Sequence, residues 1–102
     1  MPAKRTFILS TSAGPAWLPG KSSREQPFWE EHAAFMDHLF AEGMVVMGGP
    51  YADLSGTMVI LEAPDEASVY DVFKDDPFVT QDVVRIASIR EWHVFLDARR
   101  KP

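Results

Sequence analysis

Apolar and polar residues follow two different periods along this chain, and the periods predict strands and helices in the order β-α-β-β-α-β. Stretches rich in β-branched and aromatic residues predict the strands, and apolar residues spaced three to four positions apart predict the helices. The predicted elements are a strand at 4–12, a loop at 13–22, a helix from Ser22 or Ser23 to about Glu42, a strand at 44–50, a turn at 51–56, a strand at 57–63, a helix from 64 to about 74 and a strand over most of 82–96.

Proline, glycine and capping residues set the boundaries of these elements. Residues 13–22 hold two prolines and two glycines and must form a loop. Candidate capping-box pairs at the start of the first helix combine Ser22 or Ser23 with Glu25 or Gln26. Pro27 is expected in the first turn of that helix, where its missing N–H costs least. Gly43 is expected to end the helix in a left-handed conformation.

This order of elements predicts an α+β fold of the ferredoxin-like type. The βαββαβ chain is expected to form a four-stranded antiparallel sheet with two helices on one face. The chain has the length of one typical domain, so residues 1–102 are predicted to form a single domain. Strict alternation in the last strand places Ile86 and Ile89 on opposite faces of the sheet.

The two central strands are apolar on both faces. Uninterrupted runs such as Val45–Met47 and Met58–Leu61 are typical of strands that are buried from both sides. We therefore expect a second subunit to pack sheet to sheet, giving a two-fold homodimer with a barrel-like core. The alternative is that the loop at 13–22, with Trp17 and Leu18, folds over this face.

Composition and charge narrow the class of protein. Hydrophobic residues make up 46% of the chain and charged residues 25%, which is typical of a soluble globular protein. The net charge of −5 disfavours nucleic acid and anionic membranes as partners. The absence of cysteine excludes disulfides, zinc–thiolate sites and a cysteine nucleophile. No apolar stretch is long enough for a signal peptide or a membrane span, and a cytoplasmic location is expected.

One histidine occupies a hydrophobic position of the first predicted helix. The apolar stripe of that helix is formed by Trp29, Phe35, Met36 and Leu39. His32 completes the stripe, and a titratable ring that faces a core needs a hydrogen-bond partner. His32 is therefore either a structural histidine at the core edge or a general acid–base group. His38 points elsewhere and no second histidine stands four positions away, so no metal site is predicted.

A carboxylate partner for His32 is found in the segment "KDDPFV". Asp76 precedes Pro77 after the second helix, and an Asp–Pro pair is common in ordinary turns. However, Phe78 and Val79 indicate that the segment turns inward, where a bare carboxylate needs a cation. A His32–Asp76 pair would fix which ring nitrogen carries the proton and leave the other free to exchange one.

The segment Gly48–Gly49–Pro50 is a candidate substrate-binding segment. Glycines at a strand end either meet a backbone requirement or allow a ligand to approach the main chain closely. Serine catalysis is not supported, because no base follows the hydroxyl residues at 10–12 in sequence.

Taken in order, several motifs resemble the YCII-related (YciI-like) proteins. They are "HAAFMDHLFAEG", "GGP", "GTMVILEA", "DDPFV" and "IREW", and the resemblance runs from about residue 28 to residue 95. It implies a dimeric α+β barrel with a histidine–aspartate pair in a pocket, and these residues fall on His32 and Asp76. The chain departs from the family in a longer first loop and in Arg90–Glu91–Trp92, where Arg-Pro-Trp is frequent.

The resemblance also implies a class of chemistry. One branch of the family resembles dehydrochlorinases of chlorinated hydroxyquinols, and the wider superfamily includes muconolactone isomerases. We therefore expect a lyase or isomerase without a cofactor that acts on a small cyclic or aromatic compound. Two alternatives stay open, namely a non-catalytic dimer that binds or senses a small ligand, and a haem-binding protein or oxygenase.

Overall fold

The computed structural model describes residues 4–99 and contains four strands, three α-helices and one 3-10 turn in that range. In chain order these are β1 (Arg5–Ala13), a 3-10 turn (Ser23–Glu25), α1 (Trp29–Ala41), β2 (Val45–Pro50), β3 (Gly56–Ala63), α2 (Glu66–Phe73), α3 (Pro77–Thr80) and β4 (Val84–Glu91). No helix among these residues is long and apolar enough to cross a membrane.

The strands form one antiparallel sheet in the order β2-β3-β1-β4. Cross-strand neighbours share a face, so Phe7, Leu61 and Val45 form one buried row. Leu39 of α1 and Val69 of α2 belong to the same buried cluster as this row. Both helices therefore cover the same face of the sheet, and the predicted α+β, ferredoxin-like fold is confirmed.

The opposite face of the sheet carries a mixed surface. Ile8, Ile60 and Met47 form a row across three strands, and Arg90 continues it on β4. Met47 is 47% exposed. Trp17 packs against the cluster around Phe78 on the helix side. The first loop therefore does not take Trp17 across this outer face.

The first helix is shorter than predicted, because Pro27 interrupts it. The residue before a proline is pushed into the extended region, and Gln26 has φ −74° and ψ 151°. Phe28 then adopts a left-handed conformation with φ 67°, and α1 begins only at Trp29. The predicted return bond of the capping box is present in the separate 3-10 turn, where the Ser22 N–H donates to Glu25 Oε1 at 3.0 Å. The expectation that Pro27 lies inside the helix was wrong.

The last strand is also shorter than predicted, and it contains a bulge. It ends at Glu91 rather than near residue 96. Ser10 pairs with Ser88 but Thr11 pairs with Ile86, which leaves Ala87 as an extra residue. An extra residue reverses the alternation of faces, so both Ile86 and Ile89 pack against the core. The prediction that these two isoleucines lie on opposite faces was wrong for this reason.

Two helix ends follow the chemistry of their capping residues. Gly43 ends α1 with φ 83°, as predicted. The short helix α3 was not predicted. Its first residue is Pro77, and its N-cap is Asp76, whose side chain accepts a hydrogen bond from the N–H of Phe78.

Candidate functional site

A cavity of about 420 Å³ lies on the helix-facing side of the sheet. Its walls come from the sheet, from α1, α2 and α3, from the loop that joins β1 to α1 and from the turn between β2 and β3. The apolar residues that line it are Leu9, Trp17, Trp29, Met36, Leu54, Val59, Phe73, Phe78, Val79, Val84 and Ile86. This volume falls in the range of small-molecule sites in proteins, and it is large enough for a compound with a single ring.

His32 and Asp76 meet at the wall of this cavity, although they lie 44 positions apart in sequence. The Nδ1 atom of His32 is 2.8 Å from Oδ1 and 3.0 Å from Oδ2 of Asp76. The side chain of His32 is 19% exposed and that of Asp76 is 5% exposed. The pair is therefore largely shielded from water on one side and borders an open space on the other.

The backbone around Asp76 holds its carboxylate in place. Asp76 is the N-cap of α3, and its Oδ1 accepts a hydrogen bond of 2.9 Å from the N–H of Phe78. The Asp76 N–H donates to the carbonyl of Phe73 at 3.0 Å, which ties it to the end of α2. Sequence reasoning placed this carboxylate only after a helix C-terminus. In fact it lies before a helix N-terminus, where the orphan N–H groups favour an acceptor.

Aromatic neighbours fix the plane of the His32 ring. Phe78 stacks on it with ring centroids 4.0 Å apart and planes within 6° of parallel. Trp29 lies one turn earlier on α1, with its centroid 5.6 Å from that of His32. Since Nδ1 is bound to Asp76, Nε2 is the ring nitrogen without a hydrogen bond to any residue in 4–99. The arrangement can hold a proton on Nδ1 and accept or donate one at Nε2.

The segment Gly48–Gly49–Pro50 lines the same cavity at the end of β2. Gly48 pairs with Val59, and a Cβ atom at Gly48 would lie 3.3 Å from Cγ2 of that valine. At Gly49 no atom would lie within 4 Å of an added Cβ. The structure thus brings all five residues singled out from the sequence to one cavity, and their roles there remain predictions.

The other two histidines lie at the surface. The Nε2 atom of His38 is 3.0 Å from Oε1 of Glu42, and the His38 side chain is 71% exposed. The Nε2 atom of His93 is 3.7 Å from Oε2 of Glu91, and the His93 side chain is 79% exposed. Neither lines the cavity. Within residues 4–99, no group of three or more His, Asp or Glu side chains is arranged to hold a metal ion.

Sequence reasoning missed the contribution of the first loop to the cavity. Trp17 and Arg24 both line it. The loop is anchored by Gln26, which is 4% exposed and whose side-chain amide bonds to both backbone groups of Leu18 and to the carbonyl of Lys21. An aromatic residue and a cation in a loop rich in proline and glycine were the available signals. They did not indicate which face of the sheet the loop covers.

Fold and site together define a class of small α+β domain in which a histidine–aspartate pair borders a single-ring-sized cavity. The chain belongs to the YCII-related domain family, whose model matches residues 7–93. A relative in Bacillus subtilis (strain 168), the uncharacterized protein YjpA, is 32% identical over 73 residues. That alignment covers 68% of this chain and 85% of YjpA.

The fold is also similar to that of a solved enzyme structure. This is the 5-chloro-2-hydroxyhydroquinone dehydrochlorinase TftG from Burkholderia phenoliruptrix AC1100, in complex with 2,5-dihydroxybenzoquinone. The two structures superpose with a TM-score of 0.60, covering 93% of this chain and 99% of TftG, at 19% sequence identity. At this identity the likeness shows the shared fold.

Proposed function

We propose that this protein is a cofactor-independent lyase or isomerase that acts on a small cyclic or aromatic compound, with His32 as its general acid–base group. The observation that carries the proposal is the contact of Nδ1 with both oxygens of Asp76, which leaves Nε2 as the free ring nitrogen of a cavity-lining histidine. The dehydrochlorinase with the same fold binds a quinone, which supports a ring compound as the ligand class.

In the proposed mechanism His32 moves one proton. Nε2 takes a proton from an acidic C–H or O–H next to a carbonyl or enol of the substrate, and the imidazolium that forms is stabilised by the Asp76 carboxylate. In an isomerisation the proton returns to another atom of the same molecule. In an elimination the leaving group departs with its bonding electron pair, and Nε2 passes the proton to water.

The cavity walls support binding of a flat apolar ring. Trp29 and Phe78 present aromatic surface beside His32. Gly48, Gly49 and Pro50 form the backbone part of the proposed substrate site, and the lack of a side chain at Gly48 leaves room above Val59. Aromatic stacking orients the ring, and the glycine backbone allows it to approach the sheet.

The proposal is tested with 5-chloro-2-hydroxyhydroquinone and a panel of cyclic enol lactones. Chloride release and exchange of ring protons in D₂O are followed by NMR. His32→Ala and Asp76→Asn should each lower turnover by about 10²–10⁴-fold, the usual contribution of a positioned general base. The matched control is His38→Ala, which breaks an exposed histidine–glutamate pair and should retain the full rate. Full activity of both site variants on a substrate that the protein turns over would contradict the proposal.

The second candidate function is binding or sensing of a small ligand without catalysis. It is favoured by the predominance of apolar residues among the cavity walls. A thermal-shift screen separates the two functions. A ligand that raises the unfolding temperature and is recovered unchanged after long incubation favours a binding protein, whereas conversion that depends on His32 favours the enzyme.

We also propose that the chain forms a homodimer through the outer face of the sheet. In the row formed by Ile8, Ile60 and Met47, Met47 is 47% exposed whereas Ile60 is 9% exposed, so Met47 offers the apolar surface for a second copy, and two-fold dimers are the commonest oligomers. Light scattering should give about twice the chain mass of 11.5 kDa. Met47→Lys should shift the protein to a monomer, whereas Tyr70→Lys, at a 52% exposed position on α2, should not. A wild-type monomer at high concentration would contradict the dimer.

A further inference from the structure

The first loop brings a cation to the cavity. Arg24 lies in the 3-10 turn Ser23–Glu25 and lines the cavity together with Trp29 and His32. Its guanidinium carbon lies 5.9 Å from the centroid of the Trp29 ring, over the aromatic face. Because Trp29 is also in ring contact with His32, the cation, the indole and the imidazole follow one another along the same wall.

The loop holds the backbone of the turn that carries Arg24, while Arg24 itself is exposed and contacts Trp29. The buried Gln26 amide ties together the backbone at Leu18 and Lys21. The Ser22 N–H donates to Glu25 Oε1 at 3.0 Å across the turn, and hydrogen bonds from the backbone and then the side chain of Ser22 lower the pKa of Glu25 from its ordinary value. A rigid turn reduces the entropy that is lost when a ligand binds to its side chains.

The Arg24 guanidinium is not held in an ion pair with any residue in 4–99, although Glu25 follows it in the same turn. Among the lining residues within 4–99, Asp76 is the single acidic one, and its two oxygens are both taken by His32 and Phe78. Among the cavity-lining residues in the described part of the chain, Arg24 is also the only lysine or arginine.

We infer that Arg24 is a substrate-binding residue that selects ring compounds bearing an anionic group, a carboxylate or a phenolate. This inference rests on the proposed function and names the substrate class of the same cavity. The whole chain carries a net charge of −5, which repels anions at long range, so a local cation is needed to favour them. A guanidinium forms paired, charge-assisted hydrogen bonds with an oxyanion.

Arg24 also orients the ligand with respect to His32. An acid group held by the guanidinium at one end of the wall directs the rest of the ring towards Trp29 and Nε2 of His32. The same cation stabilises negative charge that develops on the ring when Nε2 removes a proton. The substrate class is therefore an anionic ring compound with an acidic proton on the side away from its charged group.

The test compares two probes of similar shape and different charge, 4-hydroxybenzoate and 4-hydroxybenzamide, by isothermal titration calorimetry. The wild type should bind the carboxylate about tenfold more tightly or better, the size of one charge-assisted contact. Arg24→Gln should reduce this preference to near unity while it retains its affinity for the amide. Arg24→Lys should restore part of the preference, because it keeps the charge and loses the paired geometry.

The matched control is Lys21→Gln, which removes one positive charge from an exposed residue of the same loop that does not line the cavity. It should keep the full preference. His32→Gln should also keep it, since the preference belongs to Arg24 and not to the proton-transfer pair. The two proposals can therefore fail independently. The proposed function is contradicted by turnover measurements, and the inference about Arg24 is contradicted by measurements of charge preference.

Four results would overturn the inference. They are a wild type that binds neither probe at millimolar concentration, a wild type without preference, an Arg24→Gln variant that keeps the preference, and an Arg24→Gln variant that loses affinity for both probes equally. The last result would mean that Arg24 maintains the structure of the loop and does not recognise the charge of the ligand.

Discussion

The two ends of the helix-facing surface of the sheet differ in what covers them. At one end Phe7 and Leu61 pair across β1 and β3, and both are at most 1% exposed. They lie in one cluster with Val69 of α2, which is equally well buried. Large apolar side chains from sheet and helix fill this end, which we call the closed end.

At the other end, the open end, the same strands carry small or polar residues. Thr11 pairs with Thr57, and their hydroxyl groups hydrogen-bond to each other. On β2 the residues that pair with β3 towards this end include Gly48 and Pro50. All four of these residues line the cavity.

This difference shows how one sheet separates stability from function along the length of its strands. On β1, β2 and β3 the residues that share the helix-facing face lose bulk from the closed end to the open end, so the helices cannot close the space between them. The histidine–aspartate pair lies beside the space that results. The closed end should therefore carry most of the folding free energy, and the open end should carry ligand recognition.

The largest expected effect is on stability at the closed end. Leu61→Ala should lower the free energy of unfolding by about 2–5 kcal/mol, the usual cost of such a cavity in a core. Thr57→Ala, four residues away on the same strand, should cost only about 1 kcal/mol, because it removes one methyl group and one side-chain hydrogen bond. Urea denaturation measures both values. Equal losses would contradict the division of the sheet into two ends.

The next effect separates the two roles of Asp76. Asp76→Ala removes the cap of α3 and should lower the free energy of unfolding by about 1–2 kcal/mol. Asp76→Asn keeps an oxygen for the Phe78 N–H and should cost less, yet both variants should lose turnover. Asp65→Ala is the matched control, since it removes the N-cap of α2 at an exposed site and should leave turnover unchanged. A full rate in Asp76→Asn would leave the residue with its capping role alone.

The smallest effect concerns the glycines of the open end. Gly48→Ala should weaken binding of the proposed probe 4-hydroxybenzoate about tenfold or less, because its Cβ occupies space next to Val59. Gly49→Ala should have the weaker effect of the two, since its Cβ meets open space. Calorimetric titration checks the order. A larger effect at Gly49 would place the ligand against a different part of β2.

The sequence predicts most of the fold because the strands have clear apolar patterns and the helices have clear ends. Two details were beyond its reach. Pro27 is compatible both with a first helical turn and with a break, and the extended Gln26 decides between them. Ala87 gives no local signal of a bulge, because the shift depends on how β4 pairs with β1.

The candidate site could be predicted in part. A histidine on an apolar stripe signals a partner, and Asp76 was the candidate because apolar residues follow it. What the sequence did not contain was the four-residue helix α3, which is too short to give a period. Nor did it contain the path of the first loop, which is tied to the segment before β4 by hydrogen bonds of 2.9 Å from the N–H groups of Gly14 and Ala16 to the carbonyls of Val83 and Asp82.

The most direct test of the central claim is the position of the proton on the neutral ring of His32. Long-range ¹H–¹⁵N correlation spectra of the three histidines report which ring nitrogen is protonated, and the exposed His38 and His93 are internal references. The account predicts a proton on Nδ1 of His32 and a bare Nε2, and it predicts that Asp76→Ala removes this preference. A wild-type ring protonated on Nε2, or one that does not respond to the loss of Asp76, would contradict it.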